Sequence, residues 1–134
     1  MDKKGEIDQL SKIIQPDISV ITNINYAHAK NFKNIRQIAL AKAEIINNTK
    51  DNGYIVLNAD DAFFGLHKKI AHKKKIKVLS FGISNQYADI KLHNIIKSKK
   101  KYKICIKINK IKKNFIVSND FQNHIYNICL LYTS

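Results

Sequence analysis

The sequence predicts an α/β fold, with an open and mostly parallel sheet followed by a small antiparallel β patch. Two observations support this prediction. Stretches with helical apolar spacing alternate with short β-branched runs up to residue 82, beginning with a helix. After Gly82 the apolar residues recur at every second position, which is typical of half-exposed strands. We therefore expect an α/β part over residues 5–82 and an antiparallel patch over residues 88–118.

The first helix and the first strand follow from apolar spacing and one proline. Residues 5–15 carry isoleucine and leucine at helical spacing, and Pro16 ends this helix. The run I-S-V-I-T-N-I at 18–24 is short, β-branched and nearly continuous. It predicts a strand that is buried on both faces of a parallel sheet.

The second helix, residues 35–48, carries a lysine in an unusual place. Its apolar side chains on one helical face are Ile35, Ile38, Ile45 and Ile46. Lys42 falls within that apolar stripe. A buried ammonium without a partner is costly, so such a lysine extends to solvent, pairs or is chemically altered. From geometry alone, a lysine at the edge of a helix–sheet contact is the simpler interpretation.

The remaining elements follow from turn residues and periodicity. Asp51-Asn52-Gly53 predicts a turn into a strand at 54–57, and a helix through residues 63–70 leads to a strand at 76–81. Three antiparallel strands are expected next, with the lysine run at 97–101 as a hairpin connection and a turn within 110–114. Those strands cover residues 88–96, 102–108 and 115–117.

The composition narrows the classes of function. The chain has 134 residues and a formal net charge of +14, but Arg36 is its only arginine. Arginine is the residue that best recognises phosphates and guanine edges, so a nucleic-acid partner is not favoured. The alternative function remains a small lysine-rich nucleic-acid-binding protein that uses the 97–113 hairpin. Salt dependence would separate the two classes, because phosphate contacts weaken steeply as salt rises.

Cysteine usage and hydropathy suggest a location. Two cysteines, Cys105 and Cys129, form neither a disulfide framework nor a metal cluster. No apolar run approaches the length of a membrane span, and the N-terminus lacks a signal-peptide pattern. We expect a cytoplasmic protein without a membrane partner.

Polar clusters follow the first two strands, where open α/β sheets bind their ligands. Thr22, Asn23 and His28 follow the first strand. Asn58 and two acidic residues, Asp60 and Asp61, follow the second. Asn58, Asn23 and Asp61 are therefore candidates for a polar site. The run N-A-D-D can equally cap a helix N-terminus, and a lone loop histidine is more often a surface residue than a ligand.

Six short motifs, in order, resemble the central domain of the Mur ligase family. They are G-E-I at 5–7, P-D at 16–17, T-N-I at 22–24, A-H at 27–28, A-K-A-E-I at 41–45 and N-A-D-D at 58–61. The resemblance is strongest for the MurF branch and weakens from residue 62 to residue 127. That branch uses ATP to join D-alanyl-D-alanine to UDP-N-acetylmuramoyl-tripeptide through an acyl phosphate.

The resemblance implies roles for two residues. The family's counterpart of His28 helps to hold Mg²⁺, and its counterpart of Lys42 is carbamylated by carbon dioxide. A carbamate converts a cation into an anionic oxygen ligand, which hard Mg²⁺ prefers. This chemistry would explain a lysine on an inward helix face. The resemblance thus implies ATP and Mg²⁺ as cofactors, with Lys42 as the catalytic residue.

The nucleotide contacts match the family less well. The family's adenine motif reads histidine, asparagine, two variable positions and asparagine, whereas Asn123 and His124 stand in the reverse order here. Asn127 carries over and His124 is a weaker candidate. The chain contains no G-x-x-x-x-G-K-[ST] phosphate loop. We therefore interpret residues 1–128 as a partial domain that is inactive alone. The last six residues, C-L-L-Y-T-S, match one reading frame of a sequencing adapter, so we interpret residues 129–134 as a non-native tail.

Overall fold

A computed structural model describes residues 3–26, 31–99 and 101–118. The chain divides into two compact units, Met1–Val78 and Leu79–Ser134. The helices are α1 (Glu6–Ile14), α2 (Ile35–Asn48) and α3 (Phe64–Lys73). The strands are β1 (Ile18–Ile21), β2 (Tyr54–Asn58), β3 (Lys77–Gly82), β4 (Ile90–Lys97), β5 (Lys101–Ile108) and β6 (Ile111–Ser118).

The first unit is built on a parallel pair of strands. β1 and β2 run parallel, with Ile18 opposite Tyr54 and Ile21 opposite Leu57. Helices α2 and α3 supply apolar side chains that pack against this pair. The hydrophobic core is formed by Ile21, Ile24, Ile38, Ala39, Ala43, Ile46, Ile55, Leu57, Ala71 and Ile76. Burial of these side chains provides the main driving force for this unit.

The turn before β2 depends on two backbone features. Asn52 adopts a left-handed conformation with φ 64°, which asparagine tolerates better than most residues. Gly53 lies so close to the backbone that a Cβ there would come within 2.6 Å of the Asp17 carbonyl oxygen. The predicted turn at these residues is thus confirmed, and position 53 requires glycine.

The prediction that the first strand is buried on both faces was wrong. The strand is shorter than expected, and its burial alternates along its length. Ser19 and Ile21 are buried, whereas Ile18 is 50% exposed and Val20 is 42% exposed. The β-branched residues predicted a strand correctly. Whether both faces of that strand are buried depends on residues far away in the chain.

The second unit is an antiparallel sheet with a parallel start. Phe81 at the end of β3 pairs parallel with Ile90 of β4. Strands β4, β5 and β6 then pair antiparallel. The lysine run does connect β4 to β5, as predicted, and the Ser98 N–H donates to the Lys101 carbonyl at 2.8 Å.

The expected turn within residues 110–114 was wrong, because the chain reverses earlier. Ile108 pairs with Ile111, so Asn109 and Lys110 form the turn. Asn109 has φ 54°, a left-handed conformation that suits the second hairpin. Period-two spacing cannot locate a two-residue turn when lysines stand on both sides of it.

The observed architecture confirms the predicted fold class, an α/β sheet with a parallel part and an antiparallel β4–β6 patch. Among the described helices, none combines the length and the apolar character needed to cross a bilayer. The proposed tail at 129–134 lies outside the described residues.

Candidate functional site

Lys42 lies half-buried on α2, with its amine beside the loop that follows β1. Its Nζ donates a hydrogen bond to the backbone carbonyl of Asn23 at 2.8 Å. The lysine therefore lies at the carboxyl end of β1, where ligands of open α/β sheets bind. The side chain also lines a cleft of about 200 Å³ together with Ile7, Val20, Ile21, Thr22 and Ile45.

The surroundings of Lys42 make its charged form less favourable than that of an exposed lysine. Burial lowers the pKa of the Lys42 amine, and the negative charge of Asp61 opposes that shift only in part. The apolar wall of the cleft accounts for the loss of hydration that a charged amine would suffer. A lysine of this kind is a better nucleophile than an exposed one, because more of it is unprotonated.

Asp61 joins the loops that follow the first two strands. Its Oδ2 accepts a hydrogen bond from the Ile24 N–H at 2.8 Å. Its Oδ1 accepts one from the Phe63 N–H, also at 2.8 Å. One carboxylate thus satisfies backbone donors on both sides of the site, and such charge-assisted bonds are among the stronger ones in proteins.

Asn58 makes a second connection between the same loops. It is the last residue of β2 and is buried. Its Nδ2 donates to the Thr22 carbonyl at 3.1 Å, and its Oδ1 accepts from the Asp60 N–H at 2.9 Å. Both ends of the side-chain amide are therefore occupied by backbone partners, which makes Asn58 a positioning residue for the loop after β1.

The three residues predicted for a polar site thus meet in one hydrogen-bonded network. Asn23 contributes its backbone carbonyl to Lys42, while its side chain accepts from Thr22 Oγ1 at 3.4 Å. The alternative that N-A-D-D caps a helix fits only in part. Phe63 is the N-cap residue of α3 and makes no side-chain cap bond. Its N–H donates instead to the Asp61 carboxylate.

The sequence analysis missed two residues that connect the helices near the site, His67 and Glu44. His67 of α3 is 2% exposed, and its Nε2 lies 3.0 Å from the Ala39 carbonyl of α2. Burial has the largest effect on His67 and lowers its pKa, the Ala39 carbonyl and Asp61 raise that pKa by smaller amounts, and the charge of Lys42 lowers it least. The available signal was the helical spacing of His67 with Phe64, Ile70 and Ala71, which places it on the apolar face of α3.

Glu44 is the second missed residue, two positions after Lys42. Its carboxylate accepts hydrogen bonds from the Gly5 N–H at 3.0 Å and from the Asp8 N–H at 3.2 Å. It therefore caps α1, whose own N-cap residue, Gly5, has no side chain to do so. The acidic residue within A-K-A-E-I could have suggested a buried partner, but not which one.

The remaining predicted site residues cannot be placed. His28, His124 and Asn127 lie outside the described residues. Within the described ranges, no group of three His, Cys, Asp or Glu side chains could hold a metal ion. One oxygen, the Asn23 carbonyl, lies at hydrogen-bond distance from the Lys42 amine, and the negative charge of Asp61 also acts on that amine. This donor chemistry is the kind that Mg²⁺ prefers.

Known proteins share both the sequence and the fold. The family model "Mur ligase middle domain" matches residues 1–130. A UDP-N-acetylmuramoyl-tripeptide–D-alanyl-D-alanine ligase from Buchnera aphidicola is 37% identical over 94 residues, which is 69% of this chain and 20% of the relative. A UDP-N-acetylmuramate–L-alanine ligase from Borreliella burgdorferi is 34% identical over 80 residues, 60% of this chain and 17% of that relative.

A solved structure supports the same assignment at the level of fold. A crystal structure of MurF from Acinetobacter baumannii superposes with a TM-score of 0.81 at 22% identity, covering 98% of this chain and 29% of that one. The matched segment spans about a fifth of the length of the curated relatives. With the match to the middle-domain model over almost all of its length, this chain belongs to the Mur ligase family.

Proposed function

We propose that the protein to which this chain belongs is an ATP-dependent ligase of peptidoglycan precursor synthesis. The acceptor would be UDP-N-acetylmuramoyl-tripeptide and the amine would be D-alanyl-D-alanine, as the name of the Buchnera relative states for that protein. The observation that carries the proposal is the Lys42 amine, held 2.8 Å from the Asn23 carbonyl at the carboxyl end of β1. A cytoplasmic location accompanies this function, because nucleotide substrates are found there.

The reaction follows from the chemistry of joining an acid to an amine. A carboxylate oxygen of the first substrate attacks the γ-phosphorus of ATP, and the bond to ADP breaks. The amine of the second substrate then attacks the acyl carbon, inorganic phosphate leaves, and the amine loses a proton. Most of the catalysis would come from positioning and from stabilisation of developing negative charge.

Lys42 would act after modification by carbon dioxide. Its neutral Nζ attacks the carbon of CO₂ and releases one proton, so that a carbamate replaces the ammonium. The lowered pKa of Lys42 favours this step, since only the unprotonated amine reacts. Lys42 and His28 would then hold Mg²⁺, which supplies charge neutralisation at nucleotide phosphates when bound.

The polar network positions these groups. Asp61 and Asn58 tie the loop after β1 to the turn after β2, and that loop carries the carbonyl that orients Lys42. They are therefore proposed as positioning residues. Asn127 and, with less support, His124 would contact the adenine base. These last assignments rest on the family resemblance.

A second candidate substrate pair is supported by one finding. The Borreliella relative is named for L-alanine addition to UDP-N-acetylmuramate, at an identity similar to that of the Buchnera relative. Both reactions activate a carboxylate with ATP and differ in the acid and the amine. The middle domain does not distinguish them by its described residues.

The test is a ligation assay on the complete product of the gene. ADP release should require both UDP-N-acetylmuramoyl-tripeptide and D-alanyl-D-alanine, and Lys42→Arg should lower kcat at least about 100-fold, because arginine cannot form the carbamate ligand. ADP release with UDP-N-acetylmuramate and L-alanine instead would select the second candidate. Full activity of the Lys42→Arg protein would refute the role of Lys42. The 134-residue chain alone should show no turnover.

A further inference from the structure

The antiparallel sheet has one face that the proposed ligase function does not use. Along β5, Tyr102, Ile104 and Ile106 are 7%, 1% and 0% exposed, so they form the buried face. The alternate residues point to the opposite side, which we call the outer face. Its β5 members are Lys101, Lys103, Cys105 and Lys107.

Three lysines stand in one row across the outer face. Lys107 of β5 pairs with Lys91 of β4 on one side and with Lys112 of β6 on the other. Directly opposed like charges destabilise a sheet. Lys91 directs its Nζ to the Gln86 carbonyl at 2.7 Å. Among the described residues, neither Lys107 nor Lys112 forms an ion pair.

The whole antiparallel segment is cationic. Residues 90–118 contain ten lysines and neither aspartate nor glutamate. The rest of the chain has 14 Lys and Arg residues against ten acidic ones, so the charge is concentrated in this segment.

Beside the lysine row, the outer face is concave. A cavity of about 200 Å³ is lined by His93, Asn94, Ile96, Lys103, Cys105, Lys112 and Asn114. Asn94, Cys105 and Asn114 form one cross-strand row at its floor. A β-bulge at residues 92–94 interrupts the pairing of β4 at this point. Bulges commonly change the direction of a side chain next to a binding site.

We propose that this cavity binds the phosphate group of a small phosphate ester. Lys103 and Lys112 supply two positive charges, and two asparagines, Asn94 and Asn114, supply amide donors. Ile96, 54% exposed, adds an apolar wall for the rest of the ligand. The other two lysines of the row, Lys91 and Lys107, raise the local positive potential further. A dianion relieves the repulsion of these lysines more effectively than a monoanion.

A compact anion fits this surface better than nucleic acid does. Single-stranded nucleic acids bind on exposed aromatic rings and arginines. In the described part of β4–β6 there is no arginine, Tyr102 is buried and Phe115 is half-buried. The proposed site shares no residue with the Lys42 network, so either proposal can fail without the other.

Protection of Cys105 from alkylation provides the test, with inorganic phosphate as the probe. In the 134-residue chain with Cys129→Ser, Cys105 is the single thiol. Iodoacetamide should react about fivefold more slowly with phosphate at about four times its dissociation constant, since one site in five then remains free. Sodium chloride at equal ionic strength should give no protection.

Matched lysine variants complete the experiment. Lys103→Met and Lys112→Met should each weaken phosphate binding at least about tenfold, because each removes a charge-assisted hydrogen bond. Lys69→Met on α3 makes the same charge change on an exposed lysine that does not line the cavity, and it should leave binding unchanged. Circular dichroism should show that the variants are folded.

Several outcomes would overturn the proposal. Equal protection by phosphate and chloride would exclude a phosphate site. Protection by DNA or by phosphatidylserine vesicles, but not by phosphate, would identify an extended polyanion surface instead. An equal loss in Lys69→Met would show a general charge effect. If a cavity variant misfolds, the comparison of Cys105 alkylation in phosphate and in sodium chloride, measured on the Cys129→Ser chain, tests the proposal by itself.

Discussion

The Lys42 network of the first unit and the outer face of the second unit use their polar side chains in opposite ways. In the first unit, Asp61, Asn58 and Lys42 are directed at backbone groups of the loop after β1. In the second unit, the lysines of the outer face stand opposite one another without acidic partners in the described chain. The first arrangement fixes loop geometry, whereas the second leaves charge available for a ligand.

This difference shows that polarity alone does not mark a site. Asn58 and Asp61 were selected because they follow a strand, and both turn out to hold backbone groups of neighbouring loops. Their contribution to a ligand site is therefore indirect, through the loop that orients Lys42. The lysine run at 97–101 was predicted to be a hairpin connection, and only the cross-strand register reveals that other lysines of the second unit are grouped.

The largest expected effect concerns the two strands of the first unit. Ile55→Ala in β2 should destabilise the chain by about 2–5 kcal/mol, because Ile55 is 0% exposed and a cavity would remain. Ile18→Ala in β1, at 50% exposure, should cost less than about 1 kcal/mol. Urea denaturation of both variants measures the difference. Equal costs would mean that the Ile18 side chain is buried, contrary to its exposure in the structure.

Asp61 should come next in magnitude. Asp61→Ala leaves the Ile24 and Phe63 N–H groups without their 2.8 Å acceptors, and we expect a loss of about 2–4 kcal/mol. Asp51→Ala removes an exposed carboxylate and serves as the control, with an expected cost below about 0.5 kcal/mol. Denaturation midpoints of the two variants would be compared. A loss in Asp61→Ala no greater than in the control would disprove the connecting role.

His67 makes the first unit sensitive to acid. Burial lowers the pKa of His67 below the ordinary value of 6.5, so the unfolded chain binds a proton more readily. Its contribution to stability is complete above pH 6.5 and is lost as the pH falls from there toward the folded pKa, by up to about 1.4 kcal/mol per pH unit. His67→Gln should flatten this part of the stability profile. The exposed His72→Gln should retain the wild-type slope.

The smallest effect tests the lysine row. Lys107→Glu should stabilise the chain by about 0.2–1 kcal/mol at low salt, because it replaces repulsion with attraction to Lys91 and Lys112. Lys101→Glu is the control, since its partner on β6 is Ser118. Thermal unfolding at low and high salt measures both. Stabilisation that persists undiminished at about 1 M salt would contradict an electrostatic origin.

The sequence predicted the fold well where local pattern decides structure. Helical spacing placed α2, and Ile38 and Ile46 are buried as that pattern requires. The pattern also placed Lys42 within the apolar stripe of α2, and the structure shows that its amine contacts the Asn23 carbonyl. Periodicity carries this information because helix geometry fixes which residues share a face.

The rest depended on partners far apart in the chain. The acceptors of the Ile24 N–H and of the His67 ring lie 37 and 28 residues away in sequence. No local pattern encodes such pairs. The exposure of Ile18 and Val20 on β1 is likewise decided by residues far away in the chain. The same β-branched run would suit a buried or an exposed strand.

The central claim is that the Lys42 amine forms a carbamate, and ¹³C NMR of the protein in ¹³C-bicarbonate tests it most directly. We expect a protein carbamate resonance that strengthens with rising pH, because the neutral amine is the reacting form and burial lowers the pKa of Lys42. Lys42→Arg should abolish the signal, whereas Lys50→Arg, on an exposed lysine paired with Asp17, should retain it. Absence of the resonance in the complete gene product with Mg²⁺ and ATP, or its persistence in Lys42→Arg, would contradict the claim.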